Sequence, residues 1–280
     1  MEHQQPIEYA LIKAIERGET TIVEKILQEN LDININWVLD NNWVLDNNWV
    51  DDWSALHTAC YYSCEPIVAM LLSHPDIDVN QKSQSGYTPF FLAVQQGHVG
   101  CIRLLLNDSS VKVNEPSTVG YAPLAEAARL GHLEIIQLWI ASGRELWLGD
   151  NHNMAVALRV TEKRKKTKKS QVIFELLSEF KARPELTRYK VRLQLGYRDE
   201  LAAEQFALIV FLCDGLLRLK IEESSRSAAQ RYFRMAEQLP MELQMILCYR
   251  GVASMKLNVT TAVSELGFKH LVSRLPKTYY

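Results

Sequence analysis

The chain is poor in the features that mark membrane proteins, secreted disulfide scaffolds and nucleotide-dependent enzymes. No apolar run reaches the roughly 18 residues that a bilayer span needs. The longest, Phe206 to Leu219, is broken by Asp214 and Gly215 and reads as a buried helix. The opening Met1-Glu2-His3-Gln4-Gln5-Pro6 gives no basic start leading into an apolar stretch, so no secretory signal is expected. Cysteine is scarce: five residues, an odd number at irregular spacing, which fits reduced thiols in cytoplasm or nucleus. The 12 glycines form no phosphate-cradling loop, and no serine sits in a nucleophile elbow. One constellation has ligand-like residue types, His57-x-x-Cys60-x-x-x-Cys64 with His74 further on. Its cysteines fall on one helix and the turn after it, and no fourth ligand besides His74 is evident. They read as core thiols beside a structural histidine, and neither metal nor cofactor is expected.

A large charge of one sign is also missing. The net value of −2 hides a division, however. Residues 1–150 hold 8 Lys/Arg against 20 Asp/Glu, a sum of −12; residues 151–280 hold 23 against 13, a sum of +10. The acidic front half favours a basic partner surface and salt-sensitive association. At 48% hydrophobic residues, the chain has enough apolar material to fold.

What is present is a 34-residue echo. Gly86-Tyr87-Thr88-Pro89 returns as Gly120-Tyr121-Ala122-Pro123, and Gly97-His98 returns as Gly131-His132. One period before Gly86 stands Asp52, opening Asp52-Trp53-Ser54-Ala55-Leu56-His57. A period of this length signals stacked helical hairpins, which bury apolar surface only against their neighbours. Such a stack offers a docking surface and not an enclosed reaction pocket.

The residue pattern resembles the ankyrin repeat over roughly residues 6–182. The third repeat carries Gly86, Thr88, Pro89, Ala93, Gly97, His98, Ile102, Leu104 and Leu105. The fourth carries Gly120, Pro123, Leu124, Ala127, Ala128, Gly131, His132, Ile135, Ile136 and Leu138. The second keeps Leu56, His57, Ala59, Ile67, Val68, Leu71 and Leu72 but has Ser63 in place of the turn glycine; the first is a degraded cap around Leu11, Ala14, Gly18, Ile22, Val23, Ile26 and Leu27. Thr88 can cap an inner helix whose first turn Pro89 pre-sets. Small alanines let adjacent helices approach, and the glycines suit the positive φ that ends a helix. A decayed fifth unit follows, with an inner helix over about 153–160 and an outer helix over about 170–181. The resemblance implies an all-α solenoid of four repeats and a degenerate fifth, in a domain spanning residues 1–182.

Two stretches depart from the period. Asn36-Trp37-Val38-Leu39-Asp40-Asn41 repeats as Asn42-Trp43-Val44-Leu45-Asp46-Asn47 and begins again at Asn48-Trp49-Val50-Asp51. It enlarges the finger loop over 36–51, either as a tolerated expansion or as an extended finger presenting Trp37, Trp43 and Trp49. The second is the basic run Lys163, Arg164, Lys165, Lys166, Lys168 and Lys169, in the turn of the fifth unit. It is a solvated loop, a nuclear import signal or a contact for an acidic partner; no aromatics interleave with it, so single-stranded nucleic acid is not expected.

Beyond residue 183 the period fades while the pattern stays helical, over Leu201 to Lys220, Ser224 to Gln238, from Pro240 onward, and about Val259 to Leu275. A helical bundle over 183–280 that caps the open end of the stack is expected. Leu239-Pro240-Met241-Glu242-Leu243-Gln244-Met245-Ile246-Leu247 looks like the opening of an F-box, which implies an alternative role as a substrate-recruiting adaptor of a ubiquitin ligase. The main expectation is a non-enzymatic, monomeric scaffold in cytoplasm or nucleus that binds another protein and no membrane. Its contact residues would be the turn aromatics Trp53, Tyr87 and Tyr121, the loop tryptophans, Gln84 on a finger, and Tyr61, Tyr62, Gln95, Gln96 and Arg129 near the inner-helix ends.

Overall fold

A computed structural model describes residues 6–38, 52–146, 152–164, 167–213 and 238–252, with residues 232, 235, 236, 263, 264 and 267. The described residues are helical and hold one isolated antiparallel bridge, Val38 to Ser54. Five hairpins come first. They are α1 (Ile7–Glu16) with α2 (Thr20–Glu29), α3 (Ala55–Tyr61) with α4 (Glu65–Leu72), α5 (Pro89–Gln96) with α6 (Val99–Asn107), α7 (Pro123–Leu130) with α8 (Leu133–Ser142), and α9 (His152–Lys163) with α10 (Lys168–Ala182). The first helices of the hairpins pack in one row, α1 on α3 on α5 on α7 on α9, and the second helices in another, α2 on α4 on α6 on α8 on α10. This is the all-α repeat solenoid that the period implies, with its fifth hairpin in place.

Local chemistry explains the hairpins. The Thr88 side chain accepts a hydrogen bond from the Phe91 N–H at 3.1 Å, and Pro89 fills the first position of α5, where a missing N–H leaves no bond unmade. Gly97 ends α5 at φ 82° and Gly131 ends α7 at φ 81°, in the left-handed region. Ser63 takes the same conformation at φ 62° and is the one non-glycine to do so among the described residues. The turn geometry of the stack is therefore imposed on the second repeat at a local cost. Leu56, Ala59, Ile67, Val68, Leu71, Phe90, Leu92, Ile102, Leu105, Ile135, Ile136 and Trp139 are fully buried and form the layers between repeats.

Polar ties hold the register from one repeat to the next. His57 Nδ1 accepts from the Ser54 N–H at 3.3 Å, so the proton sits on Nε2 and is donated to the Tyr87 carbonyl at 3.0 Å. His98 Nε2 reaches the Tyr61 carbonyl at 2.7 Å, and His132 Nε2 reaches that of Gln95 at 3.4 Å. Asparagines make a second ladder on the loops. Asn36 donates to the Asp76 carbonyl at 2.7 Å and accepts from the Asp78 N–H at 2.8 Å. Asn80 does the same with Ser110 and Lys112 at 2.8 and 2.6 Å, and Asn114 donates to the Glu145 carbonyl at 2.8 Å.

By contact density the chain divides into two compact units, Met1–Pro184 and Glu185–Tyr280. The second holds α11 (Pro184–Gln194, whose first residue belongs to the first unit), α12 (Arg198–Cys213) and α13 (Met241–Gly251). Its core gathers Leu201, Ala202, Phe206, Ile209, Ala236, Cys248, Tyr249 and Val252. Arg192, buried, pairs with both oxygens of Glu204 at 2.9 Å. The sequence reading assigned no helix to 184–194, a stretch where charged residues dilute the apolar period. The helices expected over 224–238 and 259–275 fall largely outside the described residues.

Candidate protein-binding face

The first-row helices α5 and α7 leave a groove between them of about 320 Å³. It runs from Ser117, Val119 and Tyr121 on the finger side to Gln95 and Arg129 near the helix ends, with Tyr87, Phe91 and Glu126 along it. Four residues singled out from the sequence, Tyr87, Gln95, Tyr121 and Arg129, meet here. Tyr87 is half-buried and stacks on Phe91, ring centroids 4.9 Å apart and planes 22° apart. Tyr121 is 51% exposed and Val119 70% exposed, so this end offers apolar surface to solvent.

The floor of the groove is polar but internally balanced. Glu126 is only 5% exposed, and its two oxygens accept from Arg129 Nε at 2.7 Å and Nη2 at 2.5 Å. This fork also raises the Arg129 pKa, so the guanidinium stays charged. The Arg129 carbonyl in turn accepts from Arg164 Nη1 at 2.5 Å, which brings the turn between α9 and α10 to that end of the groove. Of the basic run expected in this turn, Arg164 is exposed on it, whereas Lys163 ends α9 and Lys168 and Lys169 open α10, all three exposed; Lys165 and Lys166 lie outside the described residues.

Trp53 corrects the expectation of a uniform aromatic column. It occupies the periodic position of Tyr87 and Tyr121 but is only 2% exposed, its ring tilted against Tyr61 with centroids 4.7 Å apart. Tyr61 meets Tyr62 edge to face at 5.1 Å, and the Tyr62 hydroxyl donates to Glu16 at 3.2 Å. Trp53 thus packs the second repeat and offers little to a partner, whereas Tyr61 and Tyr62 are half-buried. Gln84 and Gln96 are exposed outside the groove, Trp37 is half-buried, and Trp43 and Trp49 lie outside the described residues.

His57 is buried and committed to Ser54 and Tyr87. Burial pushes the Cys60 thiol well up and Cys101 to about 11, and the Cys64 thiol lies 3.5 Å from the Ile15 carbonyl. His74 accepts from the Asp76 N–H at 3.2 Å. Among the described residues no group of three or more His, Cys, Asp or Glu side chains could hold a metal ion, and no helix is long and apolar enough to cross a membrane. In the 239–247 segment, Pro240 precedes α13, which buries Gln244, Cys248 and Tyr249 and leaves Met241 and Leu243 exposed.

The asparagine ladder escaped the sequence reading. Its signal was there: Ile33-x-Ile35-Asn36, Ile77-x-Val79-Asn80 and Val111-x-Val113-Asn114 share one pattern.

Stacked helical hairpins with an open groove on one row define a repeat-type binding protein. The sequence profile described as ankyrin repeats (three copies) matches residues 2–83 and 75–150, more than half of the chain, and the chain belongs to the ankyrin-repeat family. Among curated proteins it is similar to the human photoreceptor ankyrin repeat protein, 44% identical over 51 residues. That stretch is 18% of this chain and 11% of the relative, so the chain spans a small part of the protein it matches. Repeats of this family serve as protein–protein interaction modules.

Proposed function

We propose that the chain is a non-catalytic scaffold that binds one protein partner across the finger loops and the first-row helix face, centred on the Tyr87–Tyr121 groove. The observation that carries this is the exposure of Tyr121 and Val119 beside stacked Tyr87 and Phe91, on a frame tied by the histidine and asparagine ladders. Aromatic anchors on a rigid frame lose little ordering entropy on docking. A photo-crosslinking side chain placed at Tyr121 tests it, with one at Val172, exposed on α10, as the control. In native cells the Tyr121 probe captures a defined protein that Tyr87→Ala releases. Equal capture from both positions would refute the assignment of the face.

A further inference from the structure

We infer that the partner presents an extended peptide segment with one apolar side chain and, about four residues along, a run of carboxylates. This deepens the binding-face reading and rests on it. The argument comes from how charge is distributed along the groove. The finger end is apolar, with Tyr87, Phe91, Val119 and Tyr121. The floor carries no spare charge, because Glu126 is buried and both of its oxygens are held by Arg129. The far end is basic, because the Arg164 bond to the Arg129 carbonyl sets the α9–α10 turn beside it. Arg164, Lys163 at the end of α9, and Lys168 and Lys169 at the start of α10 are all exposed, and Glu162 is the acidic residue nearest to them along the sequence. Like charges gathered about one turn repel each other. Carboxylates of a bound segment would relieve that repulsion.

Spacing follows from the helix. The eight residues of α7 span about 12 Å at about 1.5 Å each, and an extended peptide covers this with about four residues at about 3.3 Å each. The bulk charge of −12 over residues 1–150 points to a basic partner, but it is spread over the whole half. At a Debye length near 10 Å, only charges close to the groove act strongly on a bound segment.

A random dodecamer peptide library displayed on phage and panned against the full chain tests this. Selected peptides are then titrated by fluorescence anisotropy against wild type, Tyr121→Ala and Lys168→Glu/Lys169→Glu. All three altered side chains are exposed, so the fold is not at risk. The expected consensus pairs an aromatic or aliphatic residue with carboxylates three to five positions away, and each variant weakens binding about tenfold or more. A consensus without carboxylates, or one rich in lysine and arginine, would overturn the acidic-segment inference. So would affinity untouched by the charge reversal; loss on Tyr121→Ala would still uphold the groove itself. Failure to select any peptide, or binding indifferent to Tyr121→Ala, would sink both. A single-stranded oligouridylate that binds the turn where peptides do not would replace the inference with an RNA contact.

Discussion

Gly97 and Gly131 occupy equivalent turns with nearly equal φ, yet replacing them with alanine should cost different amounts. Both variants place a Cβ in the left-handed region, at about 1–2 kcal/mol. A stiffer unfolded chain returns about 0.4–1 kcal/mol. At Gly131 a Cβ meets nothing within 4 Å, so the net cost is about 1 kcal/mol. At Gly97 it would stand 2.7 Å from His132 Cε1 and 3.1 Å from Nδ1. The ring must move, and its bond to the Gln95 carbonyl is lost, adding about 1 kcal/mol. Gly97→Ala therefore costs about 2 kcal/mol. Urea unfolding of the full chain, followed by circular dichroism, measures both. His132→Ala closes a double-mutant cycle: in its background the Gly97 penalty falls to about that of Gly131, a coupling of about 1 kcal/mol. Equal penalties at the two turns, or an additive cycle, would refute the claim that Gly97 makes room for the histidine tie.

At Ser63 the reverse substitution applies: Ser63→Gly removes left-handed strain and should stabilise by about 0.5–1 kcal/mol, seen as a higher urea midpoint. Native-state alkylation at neutral pH should modify the exposed Cys213 first and spare Cys60, Cys101 and Cys248, as peptide mass mapping would show. Cys101 and Cys248 are raised from 9.0 to about 11 by burial, so their contribution to stability is complete below about pH 9. It is lost as pH rises toward about 11, and urea midpoints taken across that window should fall. Asn80→Ala breaks two inter-loop bonds and should cost about 1–2 kcal/mol, with faster amide exchange at Lys112.

The repeat stack was legible because its signals are local and recur. A cap at Thr88, a proline after it and a glycine eight residues on each act within one hairpin, and the period multiplies them. The fifth hairpin could be read without those signals because its aliphatic spacing survived. Burial was less legible. Position 53 shares its phase with 87 and 121, but phase fixes only where a side chain starts. Tyr61 on the same hairpin offers the Trp53 ring a packing partner, whereas Tyr121 stays open. The asparagine ladder was hidden for another reason: its bonds join residues 30 to 42 positions apart, and an asparagine in a polar loop looks like a solvated turn. The groove's charge layout depended on the Arg164–Arg129 contact, which spans 35 residues and has no sequence signature.

The bridge between Val38 and Ser54 fastens the two feet of the hexapeptide insert to each other, and Asn36 clamps one of them to the next loop. Length gained or shed between those feet should leave the spine of hairpins untouched. Adding one more hexad to a span of about 15 residues changes closure entropy by only about 0.3 kcal/mol. Copying errors in so repetitive a gene segment are thus nearly free of penalty, and sibling alleles with fewer or more Asn-Trp-Val-Leu-Asp-Asn units should fold alike. Whole hexads should come and go there without renegotiating the architecture.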